Sequence, residues 1–155
     1  MILYRCLLDS RSAAERLSTE VKSLADDGVL PDASATEPAS GNTLVLLRGD
    51  NRAVIDMRWL SPVERNALVA VGMPGLTYSL EFTPDEETPD AVGLCWDALT
   101  AINALEAVDV WINDRFYREE RIRDFAPVRF IEFDDETAGH VMTGAEYAKL
   151  LDSRG

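Results

Sequence analysis

The sequence predicts an α+β fold: a single globular domain over residues 1–155, with about four helices packed on one mainly antiparallel or mixed sheet of about five to six strands. Segments with period-two alternation outnumber segments with helical spacing, and such alternation is typical of strands with one covered face. A doubly wound α/β fold is the second choice, because no glycine-rich turn joins a strand to a helix. A length of 155 residues and a hydrophobic fraction of 46% allow a substantial core.

The N-terminal segment predicts a strand followed by a helix. Residues 2–8 are an apolar run that fits a buried strand. Ser12 and Glu15 have the spacing of a capping box, in which both side chains accept hydrogen bonds from free backbone N–H groups at a helix start. Apolar residues at helical spacing continue up to Gly28, which suits the position just after a helix. The helix is therefore predicted over about residues 12–27.

A loop and then a β-hairpin are predicted next. Residues 29–42 are rich in proline, alanine and serine, and we expect a mobile loop there because the segment is longer than most internal connections. Residues 43–47 are apolar, and residues 53–59 alternate apolar with polar side chains. The residues between them, 49–51, are Gly-Asp-Asn, which is typical of a turn. Together these segments predict a hairpin.

The middle of the chain predicts a helix, a strand and a second helix. Ser61 is followed by proline, and Glu64 stands at the third helical position, so a helix begins here and ends at Gly72. Residues 76–83 form the clearest alternating strand of the chain. Apolar side chains at helical spacing then predict a long helix over about residues 90–106.

The C-terminal segment predicts two further strands and a terminal helix. The strands are residues 108–112 and 128–133. The densely charged segment 115–124 between them predicts a short exposed helix with i,i+4 ion pairs. Thr143 and Glu146 have capping-box spacing and begin the terminal helix.

The net charge of −13 limits the classes of partner. A small soluble domain typically carries a net charge of magnitude about 2–8. A field of this sign repels nucleic acid and anionic membranes and attracts basic proteins, so we expect no nucleic-acid and no membrane partner. The acidic proteome of a salt-adapted organism gives the same composition, and the charge alone leaves both explanations open.

The sequence also predicts a cytoplasmic protein. The N-terminus has no basic region and no small-residue cleavage site typical of a signal peptide. No apolar run approaches the roughly 18 residues that span a bilayer. Cys6 and Cys95 lie far apart in apolar surroundings, and we expect two buried thiols in a reducing compartment.

No catalytic or metal motif is strong, and we expect no catalytic residue, no metal and no cofactor. The single histidine, His140, lies between a predicted strand and helix, where we expect a loop or helix-end histidine rather than a general base. A nearby group has metal-ligating side chains without the spacing of a known metal loop, and we expect a solvated acidic strand end instead. This group comprises Glu132, Asp134, Asp135, Glu136 and His140.

Two acidic segments are candidate partner-binding sites, because clustered carboxylates speed and orient the capture of a basic protein surface. One lies between the strand 76–83 and the helix 90–106, and the other follows the strand 128–133. The candidate residues are Asp85, Glu86, Glu87, Asp90, Asp134, Asp135 and Glu136. An ordinary solvated loop is the alternative interpretation of both segments.

One short segment resembles a known family. Leu94-Cys-Trp-Asp-Ala-Leu-Thr100 is similar to a helix segment of the barstar family, whose members are acidic inhibitors of a basic ribonuclease. The similarity covers seven residues of 155. The element order and the N-terminal half differ from that family, and no site residue is carried over from it.

The leading hypothesis is an acidic, cytoplasmic, non-enzymatic protein-binding domain. In its most concrete form it is a bacterial immunity protein that neutralises a cognate toxin by covering it with an acidic surface. The alternative is a small enzyme or ligand-binding domain with a carboxylate and arginine pocket, which a strongly shifted carboxylate facing Arg58 or Arg115 would favour. A third option is an accessory subunit of a homo-oligomer.

Overall fold

The computed structural model describes residues 4–37, 42–86, 88–106, 108–112, 129–132 and 140–143, together with residues 145, 146, 149 and 153. Eight strands are present in this part of the chain: β1 (Tyr4–Leu8), β2 (Ser34–Thr36), β3 (Thr43–Arg48), β4 (Asn51–Trp59), β5 (Tyr78–Pro84), β6 (Asp109–Ile112), β7 (Arg129–Glu132) and β8 (His140–Thr143). Three helices have defined bounds within it: α1 (Arg11–Asp26), α2 (Pro62–Ala70) and α3 (Pro89–Leu105). The α+β class predicted from the sequence is confirmed.

All eight strands belong to one sheet with the order β2-β3-β4-β5-β1-β6-β7-β8. The six strands from β2 to β6 in this order are antiparallel, in agreement with the predicted sheet. β7 then extends the sheet parallel to β6, and β8 pairs antiparallel with β7. The first strand of the chain therefore lies near the centre of the sheet, and the hairpin β3–β4 lies toward one edge.

Two short strands fall where the sequence indicated loops. Residues 34–36 lie inside the predicted loop 29–42 and pair with β3 along the sheet edge. His140 is the first residue of β8, opposite Glu132, so the expectation of a loop or helix-end histidine is corrected. Strands of three and four residues are too short to show alternation, and backbone pairing with the neighbouring strand forms them.

The helix starts show where local capping was predictable. Ser61 and Glu64 form the predicted capping box of α2: Glu64 N–H donates to Ser61 Oγ at 3.1 Å, and Ser61 N–H donates to Glu64 Oε1 at 2.9 Å. In α1, by contrast, the cap is Ser10, whose Oγ accepts from Ala13 N–H at 3.2 Å. Ser12 is already helical, so the predicted capping box there is wrong.

The count of about four helices exceeds by one the three with bounds in the described residues. At the predicted terminal helix, Glu146 N–H donates to Thr143 Oγ1 at 3.2 Å, as its capping spacing predicted. Residues 145, 146, 149 and 153 are helical, and the predicted short helix 115–124 lies outside the described residues. No helix in the described ranges is both long and apolar enough to cross a membrane.

The main core lies between one face of the sheet and the helices α1 and α3. From α1 it takes Leu17 and Val21, and from α3 Leu94 and Trp96, all at most 1% exposed. Alternate side chains of the central strands close the other side: Tyr4, Cys6, Leu8, Ile55, Leu80 and Phe82. Burying each large apolar side chain contributes about 1.5–3 kcal/mol, so this face dominates the stability of the fold.

The opposite face of the sheet carries α2 and a smaller apolar cluster. Leu68 is the only fully buried side chain of the helix. The cluster around it comprises Leu7, Leu60, Leu68, Met73 and Trp111. Since Leu7 alternates with the main-core residues of β1, this cluster lies on the second face. α2 therefore rests on the sheet by a narrow apolar contact.

Both cysteines are buried and free, as the sequence predicted. Burial raises the pKa of the Cys6 thiol, and it raises that of the Cys95 thiol to about 12. Because the thiolate is the reactive form, we expect neither thiol to react with a disulfide reagent such as Ellman's reagent in the native protein at neutral pH. Both should react once urea unfolds the chain. A thiol that reacts equally fast in the native and unfolded protein would contradict this burial.

Candidate functional site

One end of the sheet gathers connections that are far apart in the sequence. Arg48 pairs with Asn51, and Ala53 with Pro84, so the β3–β4 turn and the C-terminal end of β5 lie at the same end. Asp85 N–H donates to the Arg52 carbonyl oxygen at 3.0 Å and joins the two connections directly. α3 begins here, and α1, which starts at the opposite end, finishes here.

Exposed carboxylates concentrate at this end, which we call the acidic end. They lie at the C-terminus of α1, in the following loop, in the β3–β4 turn, between β5 and α3 and in the first turn of α3. Its members are Asp26, Asp27, Asp32, Asp50, Asp85, Glu86 and Asp90, all exposed to solvent. None of these seven has an ion-pair partner among the residues that the structure describes.

The cations at this end do not neutralise the exposed carboxylates. Arg48 Nη1 donates to Asp97 Oδ2 at 2.8 Å, and its Nε donates to the Pro31 carbonyl oxygen at 2.9 Å. The side chain thereby joins β3 to α3 and to the loop that holds Asp32. Arg52 is exposed and is the other described arginine of this end. The acidic end therefore keeps a strong excess of negative charge.

The predicted partner-binding residues fall on this end as far as they are described. Asp85 and Glu86 are exposed in the β5–α3 connection, and Asp90 is exposed in the first turn of α3. Glu87, Asp134, Asp135 and Glu136 lie outside the described residues.

The strand ends that flank the second predicted segment also lie at the acidic end. β6 runs in the same direction as β5, because both are antiparallel to β1, and β7 is parallel to β6. Glu132, the last residue of β7, therefore stands at the same end of the sheet as Pro84, with His140 opposite it. Three strand spacings of about 4.8 Å separate β5 from β7, or about 14 Å. The described strand ends on either side of residues 133–139 thus lie at the same end of the sheet as the β5–α3 connection.

Four of the seven carboxylates were not singled out by sequence reasoning. Asp26 is the last residue of α1 and Asp27 caps it, Asp32 lies in a loop, and Asp50 lies in a hairpin turn. Each position looks like an ordinary solvated helix end or turn in the sequence. The direction of each element was the missing signal, since it decides which turns share an end of the sheet.

A second charged cluster lies on the face of the sheet that α2 covers. It joins β1, β4, β5 and α2 and comprises Arg5, Arg58, Glu64 and Glu81. Arg5 Nη1 donates to Glu64 Oε2, and Arg5 Nε lies 3.4 Å from Glu81 Oε1. Arg58 Nη2 lies 3.0 Å from Glu64 Oε2, and Arg58 Nε lies 2.7 Å from Glu81 Oε1. We call these four residues the ion-pair network.

The register of the sheet explains how the network forms. Arg5 stands directly opposite Glu81 on one side and Trp111 on the other, so all three share a face. The Arg5 guanidinium carbon lies 4.9 Å from the centroid of the Trp111 ring, in a cation–π contact. Asp56 is opposite Glu81 on β4 and accepts a hydrogen bond from Thr43 Oγ1 at 2.6 Å. The like charges of Asp56 and Glu81 are thus flanked by a hydroxyl and by arginines.

The network is suited to holding α2 rather than to acid–base chemistry. Burial raises the pKa of Glu64, but hydrogen bonds from the Ser61 backbone, the Ser61 side chain and Arg5 outweigh it, and the net shift is downward. A carboxylate with a lowered pKa stays ionised at neutral pH and is a poor proton donor. The ion-pair network therefore attaches α2 to the sheet electrostatically.

The described residues contain no group of three or more His, Cys, Asp or Glu side chains that could hold a metal ion. Of the candidate metal group, Glu132 and His140 are paired across β7 and β8, and Asp134, Asp135 and Glu136 lie outside the described ranges.

The fold and site define an α+β sheet protein with one acidic end. Comparison with family models, with curated proteins and with solved structures gave no match.

Proposed function

We propose that this chain is an acidic protein-binding domain that captures a basic protein through its acidic end. In the most concrete form of the proposal it is a bacterial immunity protein, which acts in the cytoplasm and neutralises a toxin by covering its basic active surface. The observation that supports this most is the concentration of seven exposed carboxylates without described ion-pair partners at one end of the sheet.

The placement of two of these carboxylates opposes stability and therefore favours a binding role. Asp26 ends α1 and Asp27 caps it, and the last turn of the helix has no basic residue. Negative charge at a helix C-terminus is unfavourable, by about 0.3–1 kcal/mol for each group at an exposed site. A partner that supplies cations would offset these costs.

The charge distribution would also speed encounter. Clustered charge of one sign raises association rates of an oppositely charged partner by about 10- to 1,000-fold at low ionic strength. The predicted loop contributes Asp85, Glu86 and Asp90, and the turns around it enlarge the field. A toxin must be bound faster than it damages its target, so a fast encounter suits an immunity protein.

The enzyme or ligand-binding alternative receives less support from the ion-pair network. Glu64 does face Arg58, as that alternative required, but the pKa of Glu64 is lowered and its charge is paired. Arg115 lies outside the described residues. Arginines that already contact two carboxylates of their own chain are not free to bind an acidic substrate.

Affinity capture from a lysate of the source organism tests the proposal. The bait is the wild-type chain, compared with a triple variant that neutralises the acidic end: Asp50→Asn, Asp85→Asn and Glu86→Gln. We expect one basic protein to be retained at low salt, released at high salt and lost with the variant. Its toxic or enzymatic activity should fall when the wild-type chain is added. Capture of the same proteins by both baits would contradict the proposed surface.

A further inference from the structure

Residues 61–76 leave the sheet at the end of β4 and return to it at the start of β5, which is the neighbouring strand. The two ends of this segment are joined at one base, where Leu60 N–H donates to the Thr77 carbonyl oxygen at 3.0 Å. Thr77 N–H in turn donates to the Leu8 carbonyl oxygen at 3.0 Å, which fixes the base to β1. We call residues 61–76, which contain α2 and the turn after it, the flap.

The backbone of the flap is hydrogen-bonded only to itself within the part of the chain that the structure describes. Beyond the bonds inside α2, Gly72 N–H donates to the Val69 carbonyl oxygen at 3.0 Å, and Met73 N–H donates to that of Leu68 at 2.9 Å. Such bonds move with the segment that contains them. The flap can therefore leave the sheet without breaking any described backbone bond of the strands.

Few apolar side chains hold the flap in place. Leu68 is 0% and Met73 4% exposed, and both pack in one cluster with Leu7, Leu60 and Trp111. By contrast, α1 has four buried residues and α3 has seven. Because burial of apolar surface is the main force that keeps an element in place, the flap is attached less firmly than either of these helices.

The remaining attachment of the flap is the charge of Glu64. Its carboxylate accepts hydrogen bonds from Arg5 and from Arg58, and among the described residues no other flap side chain forms a hydrogen bond or ion pair with the sheet. Glu81 also contacts both arginines. The arginines therefore keep a charged partner when Glu64 moves away, which lowers the cost of releasing the flap.

We propose that the flap is a lid that opens from the sheet as one unit while the main core stays folded. The base at Leu60 and Thr77 is the hinge, and the Glu64 carboxylate is the latch. Proteins open locally in cooperative units, and units with few buried apolar contacts open most easily. The inference is independent of the proposed function, because the hinge lies at the end of the sheet opposite the acidic end.

Amide hydrogen exchange of the wild-type chain, followed by NMR under native conditions, tests the inference. The amides of residues 66–71 should share one protection factor, at least about tenfold lower than that of interior amides of α1 and α3. Glu64→Gln should lower the protection of the flap by a further factor of about ten or more, because charge-assisted bonds to two arginines are lost. It should leave α1 and α3 within about twofold.

Two further variants sharpen the test. Glu15→Gln is the matched control, because it removes a carboxylate that is 52% exposed and pairs with Arg11 on α1, and it should leave the flap unchanged. Leu7→Cys places a thiol in the cluster beneath the flap, whereas Cys6, one residue earlier, faces the main core. Ellman's reagent should label only the introduced thiol in the native variant, as the flap opens. Thermal unfolding checks that each variant keeps the fold.

Either measurement can overturn the inference. Flap amides as strongly protected as those of α1 and α3 would show that α2 leaves the sheet only with global unfolding. A separate protection factor at each of residues 66–71 would show fraying of the helix instead of movement as one unit. Equal loss of protection in the flap and α1 after Glu64→Gln would show that Glu64 is not a latch. A thiol in Leu7→Cys that reacts no faster than Cys6 would contradict the opening itself.

Discussion

Glu64→Ala is expected to lower the free energy of unfolding by about 3–4 kcal/mol, because it leaves a buried arginine with too little compensating charge. The Arg5 side chain is 10% exposed and that of Glu64 is 16% exposed. With Glu64 removed, Glu81 alone faces both arginines, and its closest approach to Arg5 is 3.4 Å. Removing one partner of a buried ion pair typically costs about 3–5 kcal/mol of stability. The contact between Arg58 and Glu64 contributes less to this cost, because the Arg58 side chain is 46% exposed.

The same substitution also removes the cap of α2. Glu64 Oε1 accepts the Ser61 N–H, and that bond disappears with the side chain. Loss of a capping interaction costs about 1 kcal/mol. Because Leu68 is the only fully buried side chain of α2, the helix has little else to keep it on the sheet. We therefore expect α2 to loosen before the main core unfolds.

Denaturant unfolding measures the effect, with two comparison variants. Glu15→Ala removes a carboxylate that is 52% exposed and pairs with Arg11 at 3.0 Å, and it should change the free energy of unfolding by less than about 0.5 kcal/mol. Glu64→Gln keeps an acceptor for Ser61 but removes the charge, and it should fall between the two. Equal destabilisation by Glu64→Ala and Glu15→Ala would show that the network does not hold the helix.

The pH dependence gives a second measurement of the same contact. The pKa of Glu64 is lowered in the folded protein, so its contribution is fully present above the unfolded value of about 4.3. That contribution is lost as the pH falls through the lower folded pKa. The difference in stability between the wild type and Glu64→Gln should therefore be constant near neutral pH and shrink below about pH 4. A difference that grows in acid would contradict this sign.

Local features of the fold could be predicted because they depend on near neighbours in the chain. The Ser61 to Glu64 capping box begins α2 as expected. The alternating residues 53–59 lie within β4, and residues 76–83 overlap most of β5. The failures were also local. Ser10 caps α1 in place of Ser12, and a three-residue strand occupies 34–36. Competing caps and very short strands leave almost no periodic signal.

The ion-pair network could not be predicted, although the strand faces that form it could. Alternation in β4 and β5 puts Arg58 and Glu81 opposite the main-core side chains. Whether the two residues meet depends on the order of the strands, and the central place of β1 decides that Arg5 joins them. Glu64 then contacts a residue 59 positions away, a pairing that no local pattern contains.

The acidic end, like the ion-pair network, could be predicted only in part from the sequence. The net charge of −13 and the loop at Asp85 and Glu86 were evident in the sequence. Asp50 joins that loop because β3 and β4 turn next to the end of β5. Asp26 joins it because α1 runs back along the sheet to the same end. The acidic residues can therefore be assigned to one surface only once the directions of the helices and strands are known.

Neutralising the acidic end should slow the binding of the captured basic partner by about tenfold or more at low salt. The variant is the triple Asp50→Asn, Asp85→Asn and Glu86→Gln, which removes three negative charges from adjacent turns. The dependence of the association rate on ionic strength should flatten, because fewer charges steer the encounter. The dissociation rate should change less, since exposed charges at the rim of an interface act mainly on association.

Stopped-flow association over a range of salt concentrations measures this, with a variant of equal charge as control. Glu15→Gln, Glu20→Gln and Glu37→Gln also remove three charges, but from the side of α1 and the edge beside β2. If the net charge alone attracts the partner, both triple variants slow association equally, and the acidic end is not the binding surface. If steering is local, the control retains most of the wild-type rate and its salt dependence. The matched charge separates an acidic composition, which salt adaptation also explains, from an acidic binding site.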